Sequence, residues 1–559
     1  MKDYIGLKKS NCKNCYKCIR YCPVKSIRFS SDQAQIVNDE CILCGHCFVV
    51  CPQNAKVIRS DVEIAKQLIA ENEKVIVSLA PSFQANFAGA GLASLKKALI
   101  ALGFSDVEET AIGATIVKKQ YEKLIEQKSS DVIISSCCHT VNLLIRKYYP
   151  EALPSLAKIE SPMSAHCRDI KARFPDAKTV FIGPCISKKA EADEYVGNVD
   201  CVLTFEELSD WMSGESVELD TVDGTLDDNT RARLFPTSGG ILRTMDRSSD
   251  VYSYLVVDGL ENCKLALKEI SEHKLTRCFI EMSACAGSCI GGPALDRGRE
   301  APVSDYIFID RFAGKHDYTV SDYTQEQLAR EHSYVGIHDL VPTKDEVLDI
   351  LKQMGKNSPD DELNCGTCGY DTCREKAVAV FNGKANLQMC LPFLKEKAES
   401  FSDNIINNTP NGIIVLNENL EVQQINSAAR SIMKIANASD VLGEQVVRIL
   451  DPTIFLNVLE SGHSVPNKQV YLAEYARYVE QSVLYDREYH ILICIMRDVT
   501  DEQVQHRGRV EASRRTVEIT DRVIDKQMRI AQEIASLLGE TTAETKVALT
   551  KLKESLKDE

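Results

Sequence analysis

The sequence contains no run of 18 or more consecutive apolar residues, so no membrane-spanning helix is expected. Positive charge is in deficit, with 66 lysines and arginines against 81 aspartates and glutamates and a net charge of −15. That balance counts against nucleic-acid binding and favours solubility. No apolar segment precedes the first cysteine motif in MKDYIGLKKSN, so no signal peptide is expected and the location expected is cytoplasmic. No kinase, phosphatase or DNA-binding signature occurs. What is present is ordinary globular composition, 44% hydrophobic and 26% charged, over 559 residues. That length exceeds what one core organises, so several domains are expected.

Cysteine is abundant, at 22 residues. A disulfide scaffold fits poorly, because such scaffolds are small and this chain is long. Most of the cysteines fall in tight clusters, which favours metal binding. CKNCYKCIRYCP (Cys12, Cys15, Cys18, Cys22) is followed by CILCGHCFVVCP (Cys41, Cys44, Cys47, Cys51). Both read C-x2-C-x2-C-x3-C-P, the spacing of bacterial two-cluster ferredoxins, in which the fourth cysteine serves the other cluster. Cys12, Cys15, Cys18 and Cys51 should hold one 4Fe–4S cluster, and Cys41, Cys44, Cys47 and Cys22 the other. The doubled motif favours clusters over zinc and implies one-electron transfer.

From about residue 61 to 350 short apolar strands alternate with helices. EKVIVSLAPS, DVIISS and KTVFIGPC read as strands, LASLKKALIALGF as a helix, and DCVLTFEELSDWM as strand then helix. Such alternation implies parallel α/β units, whose ligands gather beyond the carboxyl ends of strands. Cysteines stand at those ends: Cys137 and Cys138 in SSCCHTV, Cys185 in FIGPCISKKAE, and Cys285 and Cys289 in FIEMSACAGSCIGGPA. One such cysteine alone would read as a small buried hydrophobe; five at strand ends read as a site, at which four could meet.

These three segments resemble the three signature motifs of the FeFe-hydrogenase catalytic domain, TSCCPxW, MPCxxKxxE and ExMACxGGCxxGG, in order, behind the ferredoxin module that family carries. The resemblance implies a fourth cubane held by Cys138, Cys185, Cys285 and Cys289, with Cys289 bridging to a di-iron subcluster that carries CO, CN and an azadithiolate bridge. It implies that Cys137 is a free thiol passing protons and that Lys188 pairs with a cyanide ligand, a charge-assisted contact. Pro81 and Ser82 match a turn touching the second cyanide, and Gly239 and Gly240 a glycine-rich loop near the cofactor. The departures are His139 for the usual proline, and Gly183 and Ser283 for two methionines. The usual proton route of two glutamates and a serine falls on Lys119, Glu122 and Ala157. A lysine with its usual pKa near 10 relays poorly at neutral pH, so Glu122 is the remaining candidate and another carboxylate or water is expected to substitute.

Behind a polar linker, Cys365-x2-Cys368-x4-Cys373-x16-Cys390 resembles the small single-cluster domain of corrinoid iron–sulfur proteins and of some membrane electron-transfer complexes; zinc is the alternative for four thiolates. Residues 400–500 turn to alternating strands: NGIIVLNENLEVQQIN with a turn at Asn417–Asn419, a short helix in SAARSIMKI, and a late strand in YHILICIMRDVTDEQ. This resembles a PAS sensor domain, with Asp498–Thr500 leading into an output helix and Cys494 in its core. No haem-ligating histidine or flavin-reactive cysteine pattern is visible. In the charged tail Val510, Val517, Ile524, Ala531 and Leu538 recur every seven residues, the seam of a parallel dimer or of one helix packed on its own PAS domain. Gly539 is expected to end that helix before a second one.

The expected architecture is multidomain α/β and α+β: a ferredoxin fold at 1–60, a two-lobed catalytic domain at 61–355, a single-cluster domain at 356–396, a PAS domain at 400–500 and a helical region at 501–559. The expected function is a sensory FeFe-hydrogenase that interconverts H2 with protons and electrons, its turnover slow if the proton route stays broken. Its expected partners are a ferredoxin-like electron carrier, hydrogenase maturation enzymes, a downstream kinase or phosphatase and a second copy of itself, with neither nucleic acid nor membrane. The alternatives are a metabolic ferredoxin-linked hydrogenase and an iron–sulfur scaffold protein without the di-iron unit.

Overall fold

The computed structural model describes residues 3–30, 33–87, 90–128, 130–220, 230–247, 251–295, 302–337, 340–537 and 542–555. They form two compact units, Met1–Leu394 and Lys395–Glu559.

In the first unit, strands β1 (Ile5–Leu7) and β4 (Lys56–Ile58) pair antiparallel, as do β2 (Ile27–Ser30) and β3 (Gln33–Ile36). The sequence repeat becomes a structural one. Each cysteine run turns through left-handed residues, Tyr16 at φ 54° and Gly45 at φ 75°, into the short helices Lys17–Arg20 and His46–Val49. Gly45 has a second reason to be glycine. A Cβ there would lie 2.5 Å from Pro293 Cβ, so only a bare backbone lets this loop approach the segment around Pro293.

Residues 75–283 hold two parallel sheets. One has the order β6 (Asp106–Glu109), β5 (Val75–Leu79), β8 (Lys178–Gly183), β9 (Cys201–Thr204); the other β10 (Ser253–Asp258), β11 (Cys278–Ser283), β7 (Val132–Ile134). β5 is buried along its whole length, as a parallel strand covered on both faces must be. The helices Leu92–Ala101 and Phe205–Gly214 lie where the sequence places them, the second opened by a Thr204–Glu207 capping box.

Residues 356–394 pack on the ferredoxin module. Phe29 N donates to Lys384 O at 2.8 Å, and Lys384 meets Glu40 in a buried ion pair at 2.7 Å. Arg20 donates to the carbonyls of Gly366 and Thr367.

The second unit is an antiparallel sheet ordered β13 (Val422–Ile425), β12 (Gly412–Asn417), β16 (Ile491–Asp498), β15 (Arg477–Asp486), β14 (Val465–Leu472). Numbered along the chain that is 2-1-5-4-3, with the helices Ser427–Ile432 and Thr453–Ser461 between the second and third strands, the arrangement of a PAS-like domain. Leu492, Cys494 and Met496 alternate into its core, following the two-residue period of a strand. Thr500 N donates to Asp498 Oδ1 at 2.9 Å, turning the last strand into the helix Thr500–Leu537. On that helix Val510 and Val517 are 56% and 58% exposed, while Ile524 and Ala531 are half-buried. The returning helix Thr542–Ser555 pairs Lys553 with Asp525. Part of the heptad seam is therefore covered within the chain. Leu538 and Gly539 lie outside the described residues. No described helix is long and apolar enough to cross a membrane.

Candidate functional site

The clustered cysteines gather into four groups. Cys22 crosses over to join Cys41, Cys44 and Cys47 around one small cavity. Cys18 lies instead among Cys12, Cys15 and Cys51; burial lifts its thiol to about 11 and these neighbours add to the rise. Cys365, Cys368, Cys373 and Cys390 line a third space beside Lys376. Four thiols around one space can hold a cubane; four thiolates also suit zinc.

The fourth group opens into a cavity of about 110 Å³ at the carboxyl ends of strands from both sheets. β5 supplies Ala80, Pro81 and Ser82; β7 Cys137 and Cys138; β8 Pro184, Cys185 and Lys188; β11 Glu281, Met282 and Ser283, with Ser288 and Cys289 beyond. Cys285 stands among Cys185, Cys138 and Cys289, with Cys44 of the ferredoxin module also near. Cys289 is exposed and lines this cavity. Burial lifts Cys185 to about 11 and Cys289 to about 12, and the neighbouring thiols add to both. Such thiols stay protonated unless a cation draws off the proton, which iron does on binding. Ser82 Oγ is buried in the wall without a hydrogen-bond partner. A polar ligand in the cavity would satisfy it.

Lys188 Nζ donates to Cys137 O at 3.1 Å and to Glu191 at 2.6 Å. Burial opposes its charge, but Glu191 raises its pKa. Glu191, which burial alone would raise, is held at about 2, chiefly by Lys188 and also by Arg330. The pair therefore stays ionised and keeps an ammonium in the wall. The donor set fits an iron–sulfur cluster next to a unit with anionic ligands.

Cys137 is a wall residue whose thiol burial raises to about 12, so it keeps its proton. Its Sγ lies 3.2 Å from Tyr121 Oη, which is 3.1 Å from Ser136 Oγ. Ser136 Oγ donates to Ile159 O at 2.7 Å. A carbonyl has no proton to pass on, so this chain ends inside the protein.

The glutamate expected to serve the relay lies elsewhere. Glu122 does not line the cavity; it accepts from Asp246 N at 2.7 Å and sits 3.9 Å from Lys118. The preceding residue, Tyr121, faces the site, and one helical step turns Glu122 away from it. Lys119 faces Asp322, and Ala157 is buried. Gly239 and Gly240 are not wall residues either. They open the short helix Gly240–Thr244, and their N–H groups lie against Glu281.

Glu281 itself was not singled out by the sequence, although it is the first residue of the third motif. Its carboxyl enters the cavity wall, burial lifts it to about 7, and the backbone N–H groups of Leu242, Gly239, Ile241 and Gly240 limit the rise. His139 is buried, its Nε2 unpartnered and its pKa lowered by burial to about 4, so the ring is neutral. At Gly183 a Cβ would meet the Phe181 ring at 2.7 Å. The room a methionine would need there is taken by Phe181, itself a wall residue.

Residues 73–293 match the family described as iron only hydrogenase large subunit, C-terminal domain. Residues 4–52 match a 4Fe-4S dicluster domain, and residues 361–392 an Fe-S cluster family. Iron hydrogenase 1 of Clostridium pasteurianum is 26% identical over 293 residues, 41% of this chain and 51% of that protein. The NADP-reducing hydrogenase subunit HndD of Solidesulfovibrio fructosivorans is 24% identical, over 46% of this chain and 56% of its own length. The nuclear prelamin A recognition factor of Xenopus laevis is 22% identical, over 46% of this chain and 74% of its own. The chain thus spans about half the length of these two hydrogenases. With its iron–sulfur domains and its cavity built on the three hydrogenase motifs, this chain is an FeFe-hydrogenase-like protein.

Proposed function

We propose that this protein interconverts H2 with two protons and two electrons and uses that chemistry to sense hydrogen. One observation carries the reading: the thiols of Cys138, Cys185 and Cys289, with Cys285 beside them, meet at an apolar cavity that also holds Cys137, Lys188 and Glu281. The alternative, an iron–sulfur scaffold without the di-iron unit, leaves an ammonium and two proton-holding groups in that cavity with nothing to act on.

Bound there, a di-iron unit with CO, CN and an azadithiolate bridge would supply the centre at which the H–H bond is made and broken. The chain supplies the rest. Cys138, Cys185, Cys285 and Cys289 would hold the cubane, and Cys289 would also help hold the di-iron unit. Lys188, kept charged by Glu191, and Ser82 would orient anionic ligands. Phe181, Phe235, Met163 and Ile241 give the cavity apolar walls. Cys137 holds a proton at Sγ, and Glu281 can hold or release one near neutral pH.

The cofactor is tested by metal content and infrared spectroscopy after maturation. Four cubanes and a di-iron unit give about 18 irons per chain, and protein made without maturation enzymes about 16. Matured protein should show CO and CN bands. Absent bands, with Cys137 and the four thiols intact, would leave the scaffold reading, and about 12 irons with zinc present would remove the cluster from residues 361–392.

Sensing rests on the PAS-like unit. Residues 400–559 carry none of the clustered cysteines, so removing them should leave hydrogen chemistry nearly unchanged. The exposed Val510 and Val517 face of the long helix is the surface for a second copy, so the same truncation should weaken dimerisation. A signal requires cluster redox state to bias two arrangements of this unit. Hydrogen exchange over residues 400–537 should therefore differ between H2 and mild oxidant. Identical protection, with a monomer by light scattering, would leave a metabolic hydrogenase.

A further inference from the structure

The hydrogen bonds that start at Cys137 end on the Ile159 carbonyl, but a second line of them leaves the same cavity and reaches the surface. Its inner end is Thr110, a wall residue like Cys137 and Glu281. Thr110 Oγ1 lies 2.8 Å from Ser78 Oγ, and Ser78 Oγ lies 2.8 Å from His166 Nδ1. The other ring nitrogen, Nε2, lies 3.3 Å from Glu108 Oε2. Ser78 and His166 are fully buried and Thr110 nearly so. Glu108 is half-buried, and its outer partner Arg173 reaches solvent. The strands explain the line. Ser78 of β5 stands opposite Glu108 of β6 in parallel register, and the two-residue period of a strand puts Thr110 on the side of Glu108. The helix Pro162–Arg173 brings His166 to that side. A Cβ at Gly113 would lie 2.2 Å from Pro162 O and 2.7 Å from His166 Cβ, so a bare backbone there lets the helix Ala111–Glu126 press against His166.

Glu108 sets the direction. Burial raises its carboxyl, but hydrogen bonds from His166 and Arg173 hold it at about 2, so it is ionised and only accepts. His166 Nε2 therefore carries the ring proton, which leaves Nδ1 to accept from Ser78, and Ser78 in turn to accept from Thr110. Each O–H and N–H then points away from the cavity, the way H2 oxidation sends its protons. Two ionisable neighbours of the ring leave the line intact. Asp169 is paired with Arg173 and accepts from Tyr323, and the Cys167 thiol, which burial raises to about 12, keeps its proton.

We propose that Thr110, Ser78, His166 and Glu108 form the proton line between the cavity and solvent, in place of the route that Lys119 and Ala157 interrupt. This rests on the hydrogenase reading above. Outward, Thr110 Oγ1 takes a proton from the cavity and passes its own to Ser78 Oγ. Ser78 passes its proton to His166 Nδ1, and Nε2 releases one to Glu108 and so to water. One proton enters and one leaves, no electron moves, and each H2 split needs two passages. The hydroxyls and the ring must reorient before the next passage, which suits slow turnover. The same line run backwards supplies protons for H2 evolution.

The test uses the full matured chain. Ser78→Ala and Thr110→Val each cut the line without adding bulk. Dye-linked H2 oxidation should fall by at least about tenfold in both, with the KM for H2 and the CO and CN bands unchanged. The ratio of rates in H2O and D2O should rise, because proton passage has become the slow step. Thr110→Ser, which keeps the hydroxyl, should restore most of the rate. Nitrogen-15 NMR of the histidine-labelled chain reads the line without turnover. The ring whose signals vanish in His166→Gln should carry its proton on Nε2, and Ser78→Ala should move its Nδ1 signal. Parent rates and parent isotope ratios in both cutting variants overturn the proposal. So does an equal loss in Thr110→Val and Thr110→Ser, or a loss with a raised KM and an unchanged isotope ratio, since either would leave these residues a packing role only. An Nδ1 signal that ignores Ser78→Ala overturns it as well. Should Ser78→Ala not mature, the Thr110 pair decides alone. Missing CO and CN bands in the unmutated chain would instead overturn the hydrogenase reading.

Discussion

Cys137→Ala should keep all the cluster iron yet lose most hydrogen turnover, whereas Cys138→Ala should lose the active-site cubane itself. The two side chains leave adjacent positions after β7, and the chain sends them different ways. Cys138 stands with Cys185, Cys285 and Cys289, while Cys137 Sγ faces Tyr121. A positioned proton donor contributes about a hundred- to ten-thousand-fold, and that is the loss expected for Cys137→Ala. Its thiol, held near 12 by burial, stays protonated across the working range. Cys137→Asp, with a far lower pKa, should therefore restore part of the turnover and bring a new pH dependence. The measurements are iron per chain, the infrared bands and H2 evolution with a reduced dye. Turnover equal to the parent in Cys137→Ala would show that protons enter without this thiol. Retained active-site cubane in Cys138→Ala would undo the ligand assignment.

Tyr121→Phe separates this reading further. Tyr121 Oη joins Cys137 to Ser136, and Ser136 Oγ ends on Ile159 O. If that chain only positions the thiol, removing the hydroxyl should cost a few-fold and not the full effect of Cys137→Ala.

The parts of this molecule that were legible in the sequence are those in which chemistry forces a spacing. The two C-x2-C-x2-C-x3-C-P runs show why. A cubane needs several thiolates from one tight loop, so ligand identity is written as local spacing, and even the crossover of Cys22 follows from the doubling. Strand ends were legible for a related reason. Short apolar runs such as DVIIS and KTVFI stop where the chain must turn, and β7 and β8 end within a few residues of Cys137 and Cys185. The proton path was not legible, because it is a property of contacts between distant segments. Glu122 and Tyr121 are neighbours in sequence, but helical geometry turns only the tyrosine to the thiol. Phe181, filling the space beside Gly183, is visible only once β8 is folded. The tail shows the same limit. A seven-residue period fixes an apolar face but not its partner, and the partner of the Ile524–Ala531 part includes the chain's own last helix.

Glu281→Gln should lower turnover by about a hundredfold or more and remove a pH dependence centred near 7. The carboxyl is in the cavity wall, and burial sets its pKa at about 7 against the pull of four backbone N–H groups. Below that pH it carries a proton and can donate; above it, it is ionised and can accept. In the parent, dye-linked H2 evolution should therefore fall as pH rises through 7, and H2 oxidation should fall as pH drops through 7. Glutamine fills the same space and keeps an oxygen for Leu242 N, but it neither takes nor gives a proton. Its profile should be flat across that window, with the CO and CN bands in place. The cofactor-free chain gives an independent check. Unfolded, a glutamate titrates near 4.3; folded, Glu281 titrates near 7. The folded state therefore binds more protons between those values, and stability should decline as pH rises from about 4.3 through about 7. Denaturant midpoints of the apo chain should show that decline, and Glu281→Gln should remove it. A variant that keeps both the parent's pH–rate limb and its pH-dependent midpoint would place the proton on some other group.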